Sequence, residues 1–151
     1  MVTEVKLEAA KKIITYDMHT KETNGFVTEL YKDTDKTVVY LSAAAPGAFK
    51  GFHLHRVRAA CLICIKGNVK IIVYIDGKRQ EYLLSSDNPQ RLYIPKNIPT
   101  AYHNIGEEEA WLINYPEPAY DPNLKGEQVD FTQEELDSGE YLKKLEQLPP
   151  V

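Results

Sequence analysis

The chain has 151 residues, with 18 Lys and Arg against 22 Asp and Glu and a formal net charge of −4. One domain is expected at this length, and 43% hydrophobic residues can build a core without disulfides or metals. No run approaches the roughly 20 apolar residues of a membrane span, the acidic balance argues against a nucleic-acid binder, and Met1 to Lys12 is too charged for a signal peptide.

Short strand-like runs separated by turn signals fill most of the chain. Residues near Glu4–Ile14 suit either a short helix or an extended arm. Phe26–Tyr31 follows Asn24-Gly25, Thr37–Ser42 is rich in β-branched residues, and Phe52–His55 follows Pro46-Gly47 and Gly51. Ala59–Ile65 turns at Lys66-Gly67 into Asn68–Ile75. Asp76-Gly77 is the strongest hairpin signal and leads to Gln80–Leu84. Asp87-Asn88-Pro89 turns into Arg91–Ile94, and Ala110–Tyr115 is the last clear strand. A strand about every ten residues predicts an all-β sandwich or barrel. Beyond Tyr115, Pro116, Pro118 and Pro122 make the chain irregular. Thr132-Gln133-Glu134-Glu135 has the form of a capping box. It predicts a helix through Leu136, Tyr141, Leu142 and Leu145, weakened at Ser138-Gly139 and ended by Pro149-Pro150. The expected organisation is an arm over residues 1–23, a barrel over 24–122, and a C-terminal loop and helix over 123–151.

The net charge is an average of two unlike regions. From Lys36 to Ile75 there is no acidic residue, while Lys36, Lys50, Arg56, Arg58, Lys66 and Lys70 fall in that window. From Gly106 to Val151 the sign flips, with twelve Asp and Glu against Lys125, Lys143 and Lys144. Such a split suits either two solvated faces or an anionic ligand met by the middle segment. The two cysteines, Cys61 and Cys64, lie in an apolar run that reads as a buried strand. Positions i and i+3 of a strand point to opposite faces, so a shared metal or a disulfide is not expected. Two small buried thiols fit a reducing cytosol.

His53-Leu54-His55 carries the chemistry. Two residues apart on a strand, both imidazoles face one side. Gly47 precedes His53 with five residues between them, and Gly67 closes the run. This pattern resembles the first motif of the cupin superfamily, although Ala60 stands where that motif carries Glu. Pro95-Lys96-Asn97-Ile98-Pro99-Thr100 resembles the second motif, with Asn97 for its Gly and Thr100 for its His ligand. Two of the four ligands of a cupin metal site are therefore missing, and no metal or other cofactor is expected.

A second resemblance is narrower. Lys50-Gly51-Phe52-His53-Leu54-His55-Arg56 is similar to the histidine segment of the dTDP-4-dehydrorhamnose 3,5-epimerases, and closer to that of the dTDP-sugar 3,4-ketoisomerases. Asn24-Gly25-Phe26-Val27-Thr28-Glu29, Lys66-Gly67-Asn68-Val69, Asn88 to Pro95, Glu108 to Asn114 and Tyr120-Asp121-Pro122 resemble further family segments in the same order. The resemblance covers roughly residues 24–125. It implies a jelly-roll cupin barrel and a homodimer, with Val2–Ile14 as a swapped arm. It also implies a dTDP-linked 4-keto-6-deoxy sugar, in surface polysaccharide precursor synthesis. His53 maps onto the base that removes a proton beside the keto group, and imidazole suits that task near neutral pH. His55 would orient it or act as a second base. Tyr115 lies one residue from the family's acid tyrosine, whose place is taken by Asn114; Tyr40 and Tyr102 are alternatives. The aspartate that partners the base is absent or is Asp130. The family's enolate-stabilising lysine falls near Ala60, where Arg58 or Lys70 could replace it. Lys50, Arg56 and Arg58 would meet a diphosphate, and Thr100, Tyr102 and Tyr120 would complete the substrate contacts. Two other functions remain open: a non-catalytic cupin that binds a sugar nucleotide or glycan, and a metal-dependent cupin using His53, His55 and His103.

Overall fold

The computed structural model describes residues 12–33, 37–118 and 121–151. Eleven strands occur among them: β1 Lys12–Tyr16, β2 Thr23–Asp33, β3 Thr37–Ala44, β4 Phe49–His55, β5 Ala60–Lys66, β6 Asn68–Ile75, β7 Lys78–Ser85, β8 Arg91–Ile94, β9 Thr100–Asn104, β10 Ala110–Asn114 and β11 Gln128–Asp130. Two short helices come after them, α1 Gln133–Ser138 and α2 Glu140–Glu146. The strands form two antiparallel sheets, in the orders β1-β2-β3-β10-β5-β8 and β11-β4-β9-β6-β7. This is the cupin jelly roll that the histidine motif implied. Among the described residues no helix is long and apolar enough to cross a membrane.

Residue alternation along β6 shows how the layers are built. Val69, Ile71 and Val73 point between the sheets and pack with Leu62, Cys64, Leu84, Ile94, Ala110 and Leu112. Ile72 and Tyr74 point to the other side, into a second core with Phe52, Leu54, Ala101, Phe131, Leu136 and Tyr141. The helices thus cover the outer face of the five-stranded sheet. That is why the run from Ile71 to Tyr74 is apolar without interruption. The Asp76-Gly77 turn has positive φ at both residues, 51° and 80°, as a two-residue hairpin requires. Its Gly77 N–H donates to the Tyr141 hydroxyl at 2.8 Å, tying helix to hairpin.

The capping box forms as expected. Glu135 N–H donates to Thr132 Oγ1 at 3.2 Å and Thr132 N–H donates to Glu135 Oε1 at 3.0 Å. Gly139, at φ 80°, ends α1 and splits the expected single helix into two. Three strands were not expected. β1 lies in the arm, β9 begins within the second motif-like segment, and β11 is only three residues long.

One irregularity decides which side chains reach the barrel interior. Lys50 pairs with Tyr102 and His53 with Thr100, so β4 spends three steps where β9 spends two. The extra residue is a bulge, and it puts Lys50 and His53 on the same face. The bulge needs glycine at position 51. Its φ is 132°, and a Cβ there would lie 2.8 Å from the Thr100 carbonyl oxygen.

Leu136 is fully buried and anchors α1 to the outer core. Leu136→Ala should cost about 2–5 kcal/mol of unfolding free energy, read as a lower urea midpoint with an unchanged slope.

Candidate active site

On β4, Phe52 and Leu54 point to the outer core, so His53 and His55 point into the barrel. The short strand β11 lies beside them, with Asp130 opposite His53 and Gln128 opposite His55. His53 Nδ1 and Asp130 Oδ1 are 2.6 Å apart. The hydrogen bond from His53 is the main cause that lowers the pKa of the Asp130 carboxyl, against partial burial. Gln128 Nε2 also donates to Asp130 Oδ1, at 3.2 Å. With Nδ1–H given to a carboxylate, Nε2 of His53 keeps its lone pair for a substrate proton.

His55 has a different setting. Its Nδ1 lies 3.1 Å from Glu127 Oε2 and 3.0 Å from Arg58 Nη2. Glu127 is 6% exposed. Its Oε1 accepts from the Arg58 backbone N–H at 3.1 Å and from Arg58 Nε at 3.3 Å. Burial opposes its ionisation, but the hydrogen bonds and charges of His55 and Arg58 outweigh burial and lower its pKa. The pKa of His55 is lowered by burial and then by the Arg58 charge, against the pull of Glu127.

Lys50 completes the interior face. Its ammonium donates to the Ala43 carbonyl at 2.7 Å and to Ser42 Oγ at 3.3 Å. A Cβ on Gly25 would come 3.2 Å from Lys50 Nζ and 1.9 Å from the Ala43 oxygen, so Gly25 leaves the space that Lys50 reaches through. Burial pushes the Lys50 pKa down to about 8, against the Glu109 charge. Burial pushes Tyr102 up to about 12, against Arg58, so Tyr102 is a neutral phenol at ordinary pH. Lys50, His53 and Tyr102 line both an inner recess of about 60 Å³ and an outer cleft of about 350 Å³. His55, Arg58, Ala60, Thr100 and Asn114 line the recess and not the cleft. Three buried oxygens around these spaces have no hydrogen-bond partner among the described residues: Asn114 Oδ1 at the recess, and Asn24 Oδ1 and Thr15 Oγ1 at the cleft.

The other expected site residues lie elsewhere, except Thr100 at the recess. Arg56 donates to the carbonyls of Gly126 at 3.2 Å and Pro149 at 2.7 Å, clasping the C-terminal segment. Lys70 is on the outer face of β6, 3.5 Å from Glu81. Tyr115 does not line the recess but an adjoining groove with Cys61 and Tyr93, which shares Ala60, Ile94 and Pro95 with the recess. Tyr120 is outside the described residues, as are residues 1–11 of the arm. Thr100 Oγ1 donates to the Ile98 carbonyl at 3.1 Å. Tyr40 pairs with Asn114 across β3 and β10. His103 sits against Phe49, rings 5.7 Å apart, on the face of β9 opposite Tyr102. It is therefore not gathered with His53 and His55. Glu127 was missed in the sequence. It sits in an acidic, irregular tail, and no local pattern marks it as the neighbour of His55.

The family model described as FdtA: WxcM-like, C-terminal, matches residues 7–133. The probable low-salt glycan biosynthesis epimerase Agl13 of Haloferax volcanii is 26% identical over 111 residues, covering 64% of this chain and 71% of Agl13. CapF, a capsular polysaccharide assembling protein from Staphylococcus aureus, shares the fold with a TM-score of 0.67 at 22% identity. The match covers 80% of this chain and 32% of CapF, so the chain spans about a third of that protein's length. NovW, a 4-keto-6-deoxy sugar epimerase from the novobiocin biosynthetic gene cluster of Streptomyces spheroides, shares it with a TM-score of 0.57 at 17% identity, covering 82% of this chain and 67% of NovW.

The buried Lys50 ammonium has a measurable consequence. The unfolded chain holds its lysine proton up to an ordinary pKa near 10.5, and the folded chain only to about 8. The unfolded state therefore binds more protons in that window, and stability rises with pH through it. Lys50→Met should remove this rise and be the more stable form at pH 7, as urea midpoints between pH 7 and 10 would show.

Proposed function

The chain belongs to the FdtA family, WxcM-like, C-terminal, and we propose that it is an epimerase or ketoisomerase acting on a nucleotide-linked, dTDP-type 4-keto-6-deoxy sugar. The reaction starts with proton abstraction by His53 and needs no metal, since Ala60 and Thr100 stand where the cupin motifs carry ligands. The observation that carries this is the His53–Asp130 pair on the barrel's inner face, at 2.6 Å. A 4-keto group acidifies the carbon-bound hydrogens beside it. The Nε2 lone pair of His53 takes one of them, and the positive charge that forms is met by Asp130. The electrons move toward the keto oxygen, which becomes an enolate. Such an oxygen is stabilised by donors aimed at it in a dry site, and Lys50 and Tyr102 are the donors that share both spaces with His53. Tyr102, held neutral by burial, is better placed than Tyr115 to return a proton.

The rest of the substrate fits the cleft, whose size suits a small-molecule site. Lys50 supplies positive charge to it, and Asn24 and Thr15 offer oxygens that have no hydrogen-bond partner among the described residues for a sugar or base. Arg58 faces the recess, while Arg56 and Lys70 are engaged elsewhere. The same reading includes a homodimer: β1 is a sheet edge, and Ile13, Ile14 and Tyr16 on it are exposed.

The test is deuterium uptake from D2O beside the keto group of a dTDP-linked 4-keto-6-deoxyhexose, followed by NMR. The expected result is exchange in the native chain and a loss of about 100-fold or more in His53→Ala, with dTDP binding retained. Binding without exchange would instead mark a non-catalytic sugar-nucleotide or glycan binder. Absence of exchange with any nucleotide-linked 4-keto sugar would overturn the proposal.

A further inference from the structure

The two histidines of the pair are not equivalent. His53 Nδ1 faces a carboxylate at 2.6 Å, with the neutral Gln128 amide nitrogen farther off at 3.3 Å. His55 Nδ1 faces two groups that cannot both be satisfied. Arg58 Nη2, at 3.0 Å, can only donate, and ionised Glu127 Oε2, at 3.1 Å, can only accept. One ring nitrogen serves one of them at a time. Protonating both ring nitrogens would turn an Nδ1–H against the guanidinium N–H and bring two cations together. Both hydrogen bonds that Arg58 gives Glu127, through the backbone and Nε, go to Oε1, so Oε2 and the guanidinium compete for His55 Nδ1.

We propose that Arg58 and Glu127 form a positioning pair that keeps His55 a neutral imidazole, with Nδ1 accepting from Arg58 and Nε2–H donated into the recess. Glu127 fixes the guanidinium by holding its Nε and the Arg58 backbone N–H, and the guanidinium fixes the ring. The consequence for catalysis rests on the proposed function: His53 exchanges the carbon-bound proton, and His55 is a hydrogen-bond donor to the oxygen that becomes charged. A neutral donor suits that oxygen in a buried site, because it adds no charge that the fold must then compensate.

The surroundings agree with this assignment. The charged and titratable groups around His55 are Glu127 just before β11, Asp130 on β11, Lys50 and His53 on β4, Arg58 in the loop after β4, and Tyr102 on β9. Tyr102 is uncharged at ordinary pH. Asp130 is occupied by His53, and Glu127 Oε1 by Arg58. Burial and the Arg58 charge both oppose an imidazolium at His55.

The test needs no substrate. In long-range proton–nitrogen NMR of the full chain, with His55→Asn and His53→Asn assigning the signals, His55 should show one protonated nitrogen, Nε2, at pH 7. An imidazolium, or a proton on Nδ1 alone, would overturn the proposal. Arg58→Gln removes the cation and leaves Glu127 facing the ring. The His55 titration should then move upward by about one pH unit or more, and proton exchange on the sugar should gain an ionisation in the same range. Arg58→Lys keeps a cation there and should hold His55 neutral; a protonated ring in that variant would contradict the assignment. Failure of every candidate sugar to exchange would leave the NMR result standing, so the two proposals can fail separately.

Discussion

The site depends on the pairing of three residues, Gln128 to Asp130, with strand β4. Strand β11 and the residue before it carry the two carboxylates that stand against the histidines. Asp130 meets His53 directly, and Glu127 meets His55 and Arg58. A three-residue strand at a sheet edge has little stability of its own. The residues on its C-terminal side hold it in place. Phe131 N–H donates to the Phe52 carbonyl, and the Phe131 ring packs in the outer core with Leu136 and Tyr141. The helices that look like an appendage in sequence are thus the means by which the carboxylates stay in register with the histidines.

The same strand β4 is organised by a second constraint. Alternation alone would send Lys50 to the face opposite His53. The bulge at Gly51 reverses this and brings a cation into the interior. Gly25 then leaves open the path along which that cation reaches the Ala43 carbonyl. Two glycines therefore do what no side chain could: one permits the extra residue in the strand, and the other permits close approach.

The division of charge along the chain takes on a different meaning in three dimensions. A basic middle segment suggests a surface awaiting an anionic ligand. Much of that charge is answered inside the molecule, largely by the acidic tail. Arg58 is met by Glu127, His53 by Asp130, and Lys70 by Glu81, while Arg56 holds two carbonyls of the tail. What is left facing the barrel's interior is a small set of groups of both signs, suited to moving protons.

Local periodicity was enough for much of the fold. Strands β2 to β8 and β10, the Asp76-Gly77 hairpin, the Thr132 capping box and the common face of His53 and His55 all follow from two-residue or helical spacing within a short window. So does the separation of Cys61, half-buried, from the buried Cys64. The cupin barrel, by contrast, came from the resemblance carried by the motif-like segments around His53 and Pro95. The positions of Lys50, Glu127, Asp130, Arg56, Lys70 and Tyr115 were decided elsewhere. Lys50 depends on a bulge defined only against β9. Glu127 and Asp130 depend on a strand too short to show a period. Arg56 and Lys70 depend on partners 93 and 11 residues away, Pro149 and Glu81. Register between distant strands is set by the packing of both cores together. A sequence window records which side of a strand a residue takes, and only the assembled sheets fix what stands across from it.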